Sequence, residues 1–255
     1  MADTQCSVLV TGGTGVLGRV VVARATAAGH AVSVLSRRPG PDGAGRVTHV
    51  TGDLLAVLEP ATLAGVDVVV HCATTNGRRD AESTRNLVEA AHRAGVGHLV
   101  YISIVGIDDV PFGYYRAKLA AERVITDSPV GWTILRATQF HDLIERILAA
   151  QAALPAVLVP RGATDQPIDV GTVADRLVEL AAGPPAGRVT DIGGPEVRRF
   201  ADLAETYLRV RGSRRRVVGV PIPGELGRAL RAGRLTTPDN RVGTITFEEH
   251  LTHRG

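Results

Sequence analysis

The chain has 255 residues, 44% hydrophobic and 22% charged, and a formal net charge of +3. Such a length and composition are typical of a globular protein with a large core, and the small net charge is weak support for nucleic-acid binding. No apolar run approaches the roughly 20 residues that span a bilayer, and no signal-peptide pattern precedes the first strand-like run, so we expect a cytoplasmic protein without a membrane span.

Short β-branched segments alternate with helical patterns through the first half of the chain. The segments are apolar throughout, as expected for strands whose sheet is covered by helices on both faces. The alternation therefore predicts an α/β fold with a Rossmann-type, doubly wound parallel sheet. The predicted strands are 6–11, 31–36, 66–72, 98–103 and 132–136, and the predicted helices between them include 15–28, 80–94 and 114–126.

Beyond about residue 137 the pattern loosens. We expect an NAD(P)-binding Rossmann domain over residues 1–155 and a smaller substrate-capping region over residues 156–255, packed on the core or interleaved with it. The segment RVRGSRRRVVG (209–219) holds five arginines without interleaved aromatic residues, which favours a solvated or intersubunit surface over nucleic-acid binding. Helices are predicted at 139–153, 171–182, 200–211 and 223–231, with strand-like segments AVLVP, RVTDIGG and RRVVGVP.

The segment LVTGGTGVLGR (9–19) is the first chemical motif. Gly12, Gly15 and Gly18 follow a predicted strand and open a predicted helix. Glycines at this spacing let the backbone turn sharply and let a diphosphate approach the amide groups of a helix N-terminus. A tight strand-to-helix turn is the structural alternative, but the strand–helix–strand context favours a dinucleotide. The G-K-[ST] ending of a P-loop is absent.

The motif T-G-x-T-G-x-x-G resembles that of short-chain dehydrogenases/reductases of the extended and atypical kind. The resemblance covers most of residues 5–200, although Ala137 stands where proline is usual. The later segments PIDVGTVADRLVEL and DIGGPE are similar to the NmrA-like, NAD(P)H-binding branch. The other matching segments are GDL (52–54), HCATT (71–75), YISIVGID (101–108), YYRAKLAAE, which contains Y-x-x-x-K, and TILRATQFHDLI (133–144).

The resemblance implies a set of residues around the cofactor. In the glycine-rich loop they are Gly12, Thr14, Gly15, Val16, Leu17 and Gly18. Asp53 and Leu54 are implied to lie beside the adenine, and Ala73, Thr74 and Thr75 follow the fourth strand. The remaining implied residues are Lys118, Ala137 and Thr138. The substrate pocket is implied to include Tyr115, Gln139 and Phe140.

Arg37 and Arg38 decide the predicted cofactor. Arg37 lies about 20 positions after Gly18, where an acidic residue of a Rossmann unit would hold the ribose 2′-OH of NAD. No Asp or Glu occurs between Gly18 and Asp42. A guanidinium can bind a 2′-phosphate through two hydrogen bonds, so NADP(H) is favoured over NAD(H). The alternative is that both arginines are solvated loop residues.

Lys118 is the only lysine in the chain. The resemblance implies that Tyr114 donates a proton to the substrate, while Lys118 lowers the pKa of that tyrosine and binds the nicotinamide ribose. Residues four apart share one helix face, and a compact ammonium suits this double role better than a planar guanidinium. Ser103 would polarise the substrate carbonyl, although a serine at a strand end also often bonds a turn.

The sequence thus favours an NAD(P)H-dependent oxidoreductase that transfers hydride to a small carbonyl, quinone or enone, with Tyr114 as proton donor. An NmrA-like dinucleotide-binding redox sensor without turnover is one alternative, and a nucleotide-sugar epimerase or dehydratase is another. The expected partner is a small-molecule substrate, and the sequence does not indicate an oligomeric state. His71 and Cys72 lack further ligands at suitable spacing, so no metal site is expected.

Overall fold

The computed structural model describes residues 5–40, 47–77 and 79–253, which form two compact units. The first unit comprises the described parts of Met1–Ser103 with Arg116–Leu135 and Val173–Val189. The second comprises Ile104–Tyr115, Arg136–Thr172 and the described part of Thr190–Gly255. None of the described helices combines the length and the apolar character that crossing a membrane requires.

Strands and helices alternate along most of the chain. The strands are β1 (Ser7–Thr11), β2 (Ala31–Ser36), β3 (Val47–Thr51), β4 (Val68–His71), β5 (His98–Ile104), β6 (Trp132–Ala137), β7 (Ala156–Pro160), β8 (Thr164–Asp165), β9 (Gly187–Arg188), β10 (Arg198–Arg199) and β11 (Arg216–Val220). The α-helices are α1 (Val16–Ala27), α2 (Asp80–Ala94), α3 (Gly113–Thr126), α4 (His141–Ala149), α5 (Val170–Ala182), α6 (Phe200–Val210), α7 (Gly224–Arg231) and α8 (Phe247–His253).

The first unit is built on a parallel sheet of seven strands in the order β3-β2-β1-β4-β5-β6-β9. This is the Rossmann order with one added edge strand, so the predicted fold class is confirmed. The direction of strand succession reverses between β1 and β4, which pair directly. In open α/β sheets, ligands bind at the carboxyl ends of the strands beside this switch point.

Helix α2 shows why the sheet is stable. Its apolar face carries Leu87, Ala90 and Ala91, all fully buried in one cluster with Leu9 of β1 and Leu99 of β5. Burying a leucine side chain stabilises the fold by about 1.5–3 kcal/mol. The helix ends at Gly95, whose φ of 75° favours glycine.

The second unit has two small sheets. Strands β7 and β11 pair in parallel, β8 and β10 pair antiparallel, and α4, α6 and α8 share a separate apolar cluster. Helix α8 was not predicted from the sequence. Of the RVTDIGG segment (188–194), predicted as strand-like, only Arg188 belongs to a strand, the short β9.

Three arginines of the 209–219 segment make contacts within the second unit. Arg209 pairs with Glu248 of α8 at 2.7 Å, and Arg211 pairs with Glu145 of α4 at 2.6 Å. Arg215 donates to the carbonyl of Gln151 at 2.7 Å. These arginines therefore join elements of their own unit.

Candidate functional site

The glycine-rich loop connects β1 to α1 at the switch point. Gly12 has a φ of 69°, and a Cβ on it would lie 2.7 Å from the Ala73 nitrogen, so only glycine fits. A Cβ on Gly18 would lie 2.1 Å from the Gly12 carbonyl oxygen, which makes the close approach of loop and helix depend on glycine as well. Together these glycines hold the loop tightly against the start of the helix.

The N-terminus of α1 suits an anion. Gly15 is the N-cap and makes no side-chain cap, and the first turn of this described helix carries no acidic residue. Thr14, Gly15 and Val16 are exposed. Amide groups at a helix start that lack a cap attract phosphate oxygens, so the loop fits the diphosphate of a dinucleotide.

A buried histidine is hydrogen-bonded to the strand that leads into this loop. His71 ends β4, and its Nδ1 lies 2.7 Å from Thr11 Oγ1, while its Nε2 lies 3.2 Å from Thr84 Oγ1. Thr11 Oγ1 also accepts the Ala73 amide at 3.3 Å. Burial and then the nearby Lys118 ammonium lower the pKa of His71 to about 3, so the imidazole is neutral. It therefore serves as a hydrogen-bonding link between β1, β4 and α2.

Asp80, the first residue of α2, organises the segment after β4. Thr74 Oγ1 donates to its Oδ2 at 2.8 Å. The Thr75 amide and hydroxyl donate to its Oδ1 at 2.5 and 2.6 Å. The carboxylate is only 2% exposed, so these bonds hold the segment firmly. Sequence reasoning picked out the two threonines and missed the carboxylate that positions them.

Lys118 lies on α3 and is 4% exposed. Its Nζ donates to the Ile102 carbonyl at 2.9 Å and lies 4.2 Å from the centre of the Tyr101 ring. Burial lowers the pKa of Lys118 to about 8, although Asp80, Cys72 and Glu122 oppose this shift. An ammonium has three N–H donors, and Ile102 is the acceptor it reaches among the described residues, so donors remain for a ligand.

Ser103 lies near the end of β5 and is 2% exposed. Its Oγ has no hydrogen-bond partner among the described residues. A serine that merely bonds a turn would have one, and a buried hydroxyl without a partner calls for an explanation such as a bound ligand. The hydroxyl therefore keeps its donor and its acceptor capacity for a ligand.

The predicted adenine-side residues differ in exposure. Arg37 and Arg38 follow β2 and are exposed. Asp53 is exposed too, and its Oδ1 accepts the Leu55 amide at 2.9 Å. Leu54 packs against the core of the first unit, and its carbonyl accepts a hydrogen bond from Asn86.

In the second unit, Tyr115 and Gln139 meet directly. Gln139 Nε2 donates to the Tyr115 hydroxyl at 3.1 Å, and the two residues are 8% and 9% exposed respectively. Burial, with a smaller contribution from Asp165, raises the pKa of Tyr115 above its ordinary value. Tyr114 is half-buried, and its ring centre lies 6.1 Å from that of Tyr115.

Thr138 is used within the second unit. Its Oγ1 donates to the Gln166 carbonyl at 2.5 Å, and its amide donates to Ile192 at 3.0 Å. Ala137 and Phe140 form parallel bridges to Ile192 and Ile168. The segment after β6 is therefore held by its neighbours before any ligand binds.

Asp165 is a buried acid that sequence reasoning did not find. It is 4% exposed, and its Oδ1 accepts the Gln166 amide at 2.7 Å. Burial raises the pKa of Asp165 to about 7. No cluster of potential metal ligands occurs among the described residues of either unit.

A family model described as NAD(P)H-binding matches residues 12–183. The chain belongs to this NAD(P)H-binding family, and the suspected family is confirmed at that level. The family match agrees with the glycine-rich loop, since the match begins at the first of its three spaced glycines.

The chain also resembles individual proteins over most of its length. A (4-alkanoyl-5-oxo-2,5-dihydrofuran-3-yl)methyl phosphate reductase of Streptomyces griseus is 31% identical over 219 residues, covering 80% of this chain and 74% of that protein. An uncharacterized protein of Mycobacterium tuberculosis is 28% identical over 235 residues, covering 79% of this chain but only 26% of that protein. The chain thus spans about a quarter of the mycobacterial relative.

Among solved structures, the NADPH-dependent quinone oxidoreductase of Escherichia coli in complex with NADPH has a TM-score of 0.80 at 17% identity. The alignment covers 97% of this chain and 99% of that one. At this identity the likeness establishes the fold alone.

Proposed function

We propose that the protein is a reductase that transfers a hydride from NAD(P)H to a small carbonyl, quinone or enone, with Tyr114 as the proton donor. The observation that carries this proposal is a pair of buried polar groups near the carboxyl end of β5. The Ser103 hydroxyl lacks a partner among the described residues, and the Lys118 ammonium keeps N–H donors for a ligand. Both belong to the unit that contains the glycine-rich loop.

Each residue has a separate task in this proposal. The nicotinamide supplies the hydride when the cofactor is bound. Ser103 donates a hydrogen bond to the substrate oxygen, and Lys118 binds the ribose and favours the anionic form of Tyr114. Tyr114 and Lys118 lie four residues apart on α3, a spacing that places side chains on the same face of a helix.

NADP(H) is the proposed cofactor form. Arg37 and Arg38 are exposed directly after β2, where a 2′-phosphate could be bound without displacing packed side chains. The reductase activity in the name of the Streptomyces protein, which is 31% identical, supports turnover over a purely sensory role.

The test is oxidation of NADPH against a panel of quinones, enones and aldehydes. Tyr114→Phe should still bind NADPH and should lose turnover by about 10²–10⁴, the usual contribution of general acid catalysis. Tyr207→Phe, which removes a hydroxyl from a buried tyrosine of α6, is the matched control and should keep full activity.

Two results would contradict the proposal. Equal turnover by wild type and Tyr114→Phe would exclude the assigned proton donor. Tight NADPH binding without oxidation by any compound of the panel would favour the redox-sensor alternative.

A further inference from the structure

We propose that the outward face of the β7–β11 sheet in the second unit is a surface that binds anionic lipid membranes. This β7–β11 face comprises Ala156, Leu158 and Pro160 of β7 with Arg216, Val218 and Val220 of β11. The inference goes beyond the proposed function, because none of these residues binds the cofactor or the substrate in that proposal.

The β7–β11 face is apolar at its centre. Alternate residues of a strand point to opposite faces, and Val157 and Val159 point into the apolar cluster of the second unit, where both are buried. Leu158 and Val218 lie directly opposite each other on the other face, and their side chains are 45% and 44% exposed. Neighbouring strands lie about 4.8 Å apart, so the two side chains form one continuous apolar patch. Single exposed apolar residues are common, but adjacent ones indicate a surface that a partner covers.

The surroundings of this patch carry positive charge only. Residues 151–164 and 208–224, which contain β7 and β11, hold six arginines and no aspartate or glutamate. Two of these arginines are paired with glutamates of α4 and α8, as described above. Arg214 and Arg216 are exposed and have no partner among the described residues. Arg161 and Arg215 donate to backbone carbonyl groups, which leaves their positive charges uncompensated.

The backbone of the sheet is closed to an added peptide strand at the outer edge of β7. Gln151 Oε1 accepts the Leu158 amide at 2.8 Å, and Gln151 Nε2 donates to the Leu158 carbonyl at 3.2 Å. On β11, the Gly219 carbonyl accepts two hydrogen bonds from the Arg161 guanidinium, at 3.0 and 3.2 Å. Addition of a peptide strand depends on free backbone groups at a sheet edge. The face therefore favours a partner that contacts side chains alone.

A lipid bilayer with anionic headgroups fits these features. It offers a plane of negative charge to the arginines and an apolar layer beneath that plane to Leu158 and Val218. Clusters of about four to eight basic residues are typical of binding to anionic lipids. A second copy of the chain fits less well, because two copies of this face packed on each other would place arginine against arginine. The charge of the face thus selects anionic lipid as its partner.

The test is flotation of the intact protein with lipid vesicles at low ionic strength. One set of vesicles contains equal parts of phosphatidylglycerol and phosphatidylcholine, and the other contains phosphatidylcholine alone. Wild type should bind the first set and not the second, and added salt should weaken the binding, because exposed charges are screened. Absence of binding to the anionic vesicles, or equal binding to both sets, would overturn the proposal.

A pair of double variants tests whether the arginines of this face carry the binding. Arg214→Gln combined with Arg216→Gln should weaken vesicle binding by about tenfold or more, since each basic residue near an anionic surface contributes roughly a fivefold factor. The control, Arg93→Gln combined with Arg123→Gln, removes the same charge from exposed positions of α2 and α3 and should change the affinity far less. An equal loss in both double variants would show that net charge alone drives the binding, and the assignment of this face would fail.

Leu158→Asn tests the apolar part of the face. It should weaken vesicle binding severalfold and keep the circular dichroism of wild type, because the leucine side chain is exposed. Val57→Asn, at an exposed apolar position of the first unit, is the control and should bind as wild type does. Val218→Thr, which keeps a β-branched side chain, provides the same comparison if Leu158→Asn does not fold. Unchanged binding by the folded variant, or an equal loss in the control, would exclude insertion of this patch into lipid.

Two further measurements test the other possible partners. Sedimentation equilibrium measures self-association, and a dimer that Leu158→Asn dissociates would assign the face to a second copy and overturn the proposal. Soluble poly-glutamate is the probe for an acidic polypeptide. If wild type binds poly-glutamate more tightly than it binds the anionic vesicles, the arginines recognise acidic protein and the proposal is again wrong. A monomer that binds the vesicles more tightly supports the membrane assignment.

Discussion

Replacing Lys118 by methionine should stabilise the protein at neutral pH while abolishing the proposed reductase activity. The side chain is 4% exposed, and burial lowers its pKa from 10.5 to about 8. At pH 7 the lysine is charged in both the folded and the unfolded chain, so folding includes the cost of burying the charge. Methionine has a similar volume and carries no charge.

The expected size of the effect follows from the shift. One pKa unit corresponds to about 1.4 kcal/mol, so the buried charge costs about 3 kcal/mol of folding free energy. Methionine also loses the hydrogen bond to the Ile102 carbonyl, which contributes about 1 kcal/mol net. We therefore expect Lys118→Met to raise the free energy of unfolding by about 2 kcal/mol at pH 7.

The sign of the pH dependence is fixed by the same argument. Because the folded pKa lies below the unfolded one, the cost is complete below pH 8 and disappears as the pH rises to 10.5. Urea unfolding of wild type and variant at several pH values across this window measures the difference, in which titrations shared by both proteins cancel.

Arg116→Met, which alters an exposed residue of the same helix, is the control and should show no such trend. A Lys118→Met protein that is less stable than wild type at pH 7, or whose difference from wild type does not change with pH, would refute the reasoning.

Three further predictions concern the cofactor and the acid range. Arg37→Asp should narrow or reverse a preference for NADPH over NADH. If fluorescence titrations show that wild type binds NADPH and NADH with equal affinity, the proposed role of Arg37 has no basis. Asp80→Ala should weaken NADPH binding about tenfold, because Thr74 and Thr75 lose their acceptor. Glu89→Ala, at an exposed position of α2, should not weaken it, and an equal loss of affinity in both variants would contradict the proposed role of Asp80. Burial lowers the pKa of His141 from 6.5 to about 4, so the free energy of unfolding should fall as the pH drops from 6.5 to 4. The fall should be smaller in His141→Gln. Unfolding curves with the same acid dependence in both proteins would exclude this role of His141.

Local sequence patterns were enough to predict the first unit. Gly12 and Gly18 meet steric limits that no other residue satisfies, and the apolar strands leave little choice but a parallel sheet. The assigned roles of Ser103, Tyr114 and Lys118, the domain boundary at residue 155 and the cytoplasmic location stay predictions.

The residues that sequence reasoning missed depend on contacts distant in the chain. From the sequence, His71 was considered only as a metal ligand and was rejected in that role. Its hydrogen-bond partner Thr11 lies 60 positions away in the chain, so no local pattern indicated the contact. Asp165 is buried and lies opposite Arg198 in the short β8–β10 pair, which no periodicity in the sequence indicates.

Helix α8 had a readable signal that was overlooked. The Thr246 hydroxyl accepts the Glu249 amide at 3.2 Å, and the Glu249 carboxylate accepts the Thr246 amide at 2.7 Å. The sequence T-x-x-E marks such a capping box at a helix start.

The interleaving of the two units has a consequence for synthesis on the ribosome. Once a nascent chain has been extended to Val189, it contains every strand of the seven-stranded sheet. The second unit at that point still lacks β11, the only partner of β7 among the described strands, and it lacks α6 and α8, which share its apolar cluster with α4. Domains fold as soon as their parts are present, and long loop closures are slow. The Rossmann sheet can therefore form while the apolar side chains of Ile144 and Val157 are still in contact with water. Because exposed apolar side chains promote association, the growing chain is most prone to aggregation in this interval.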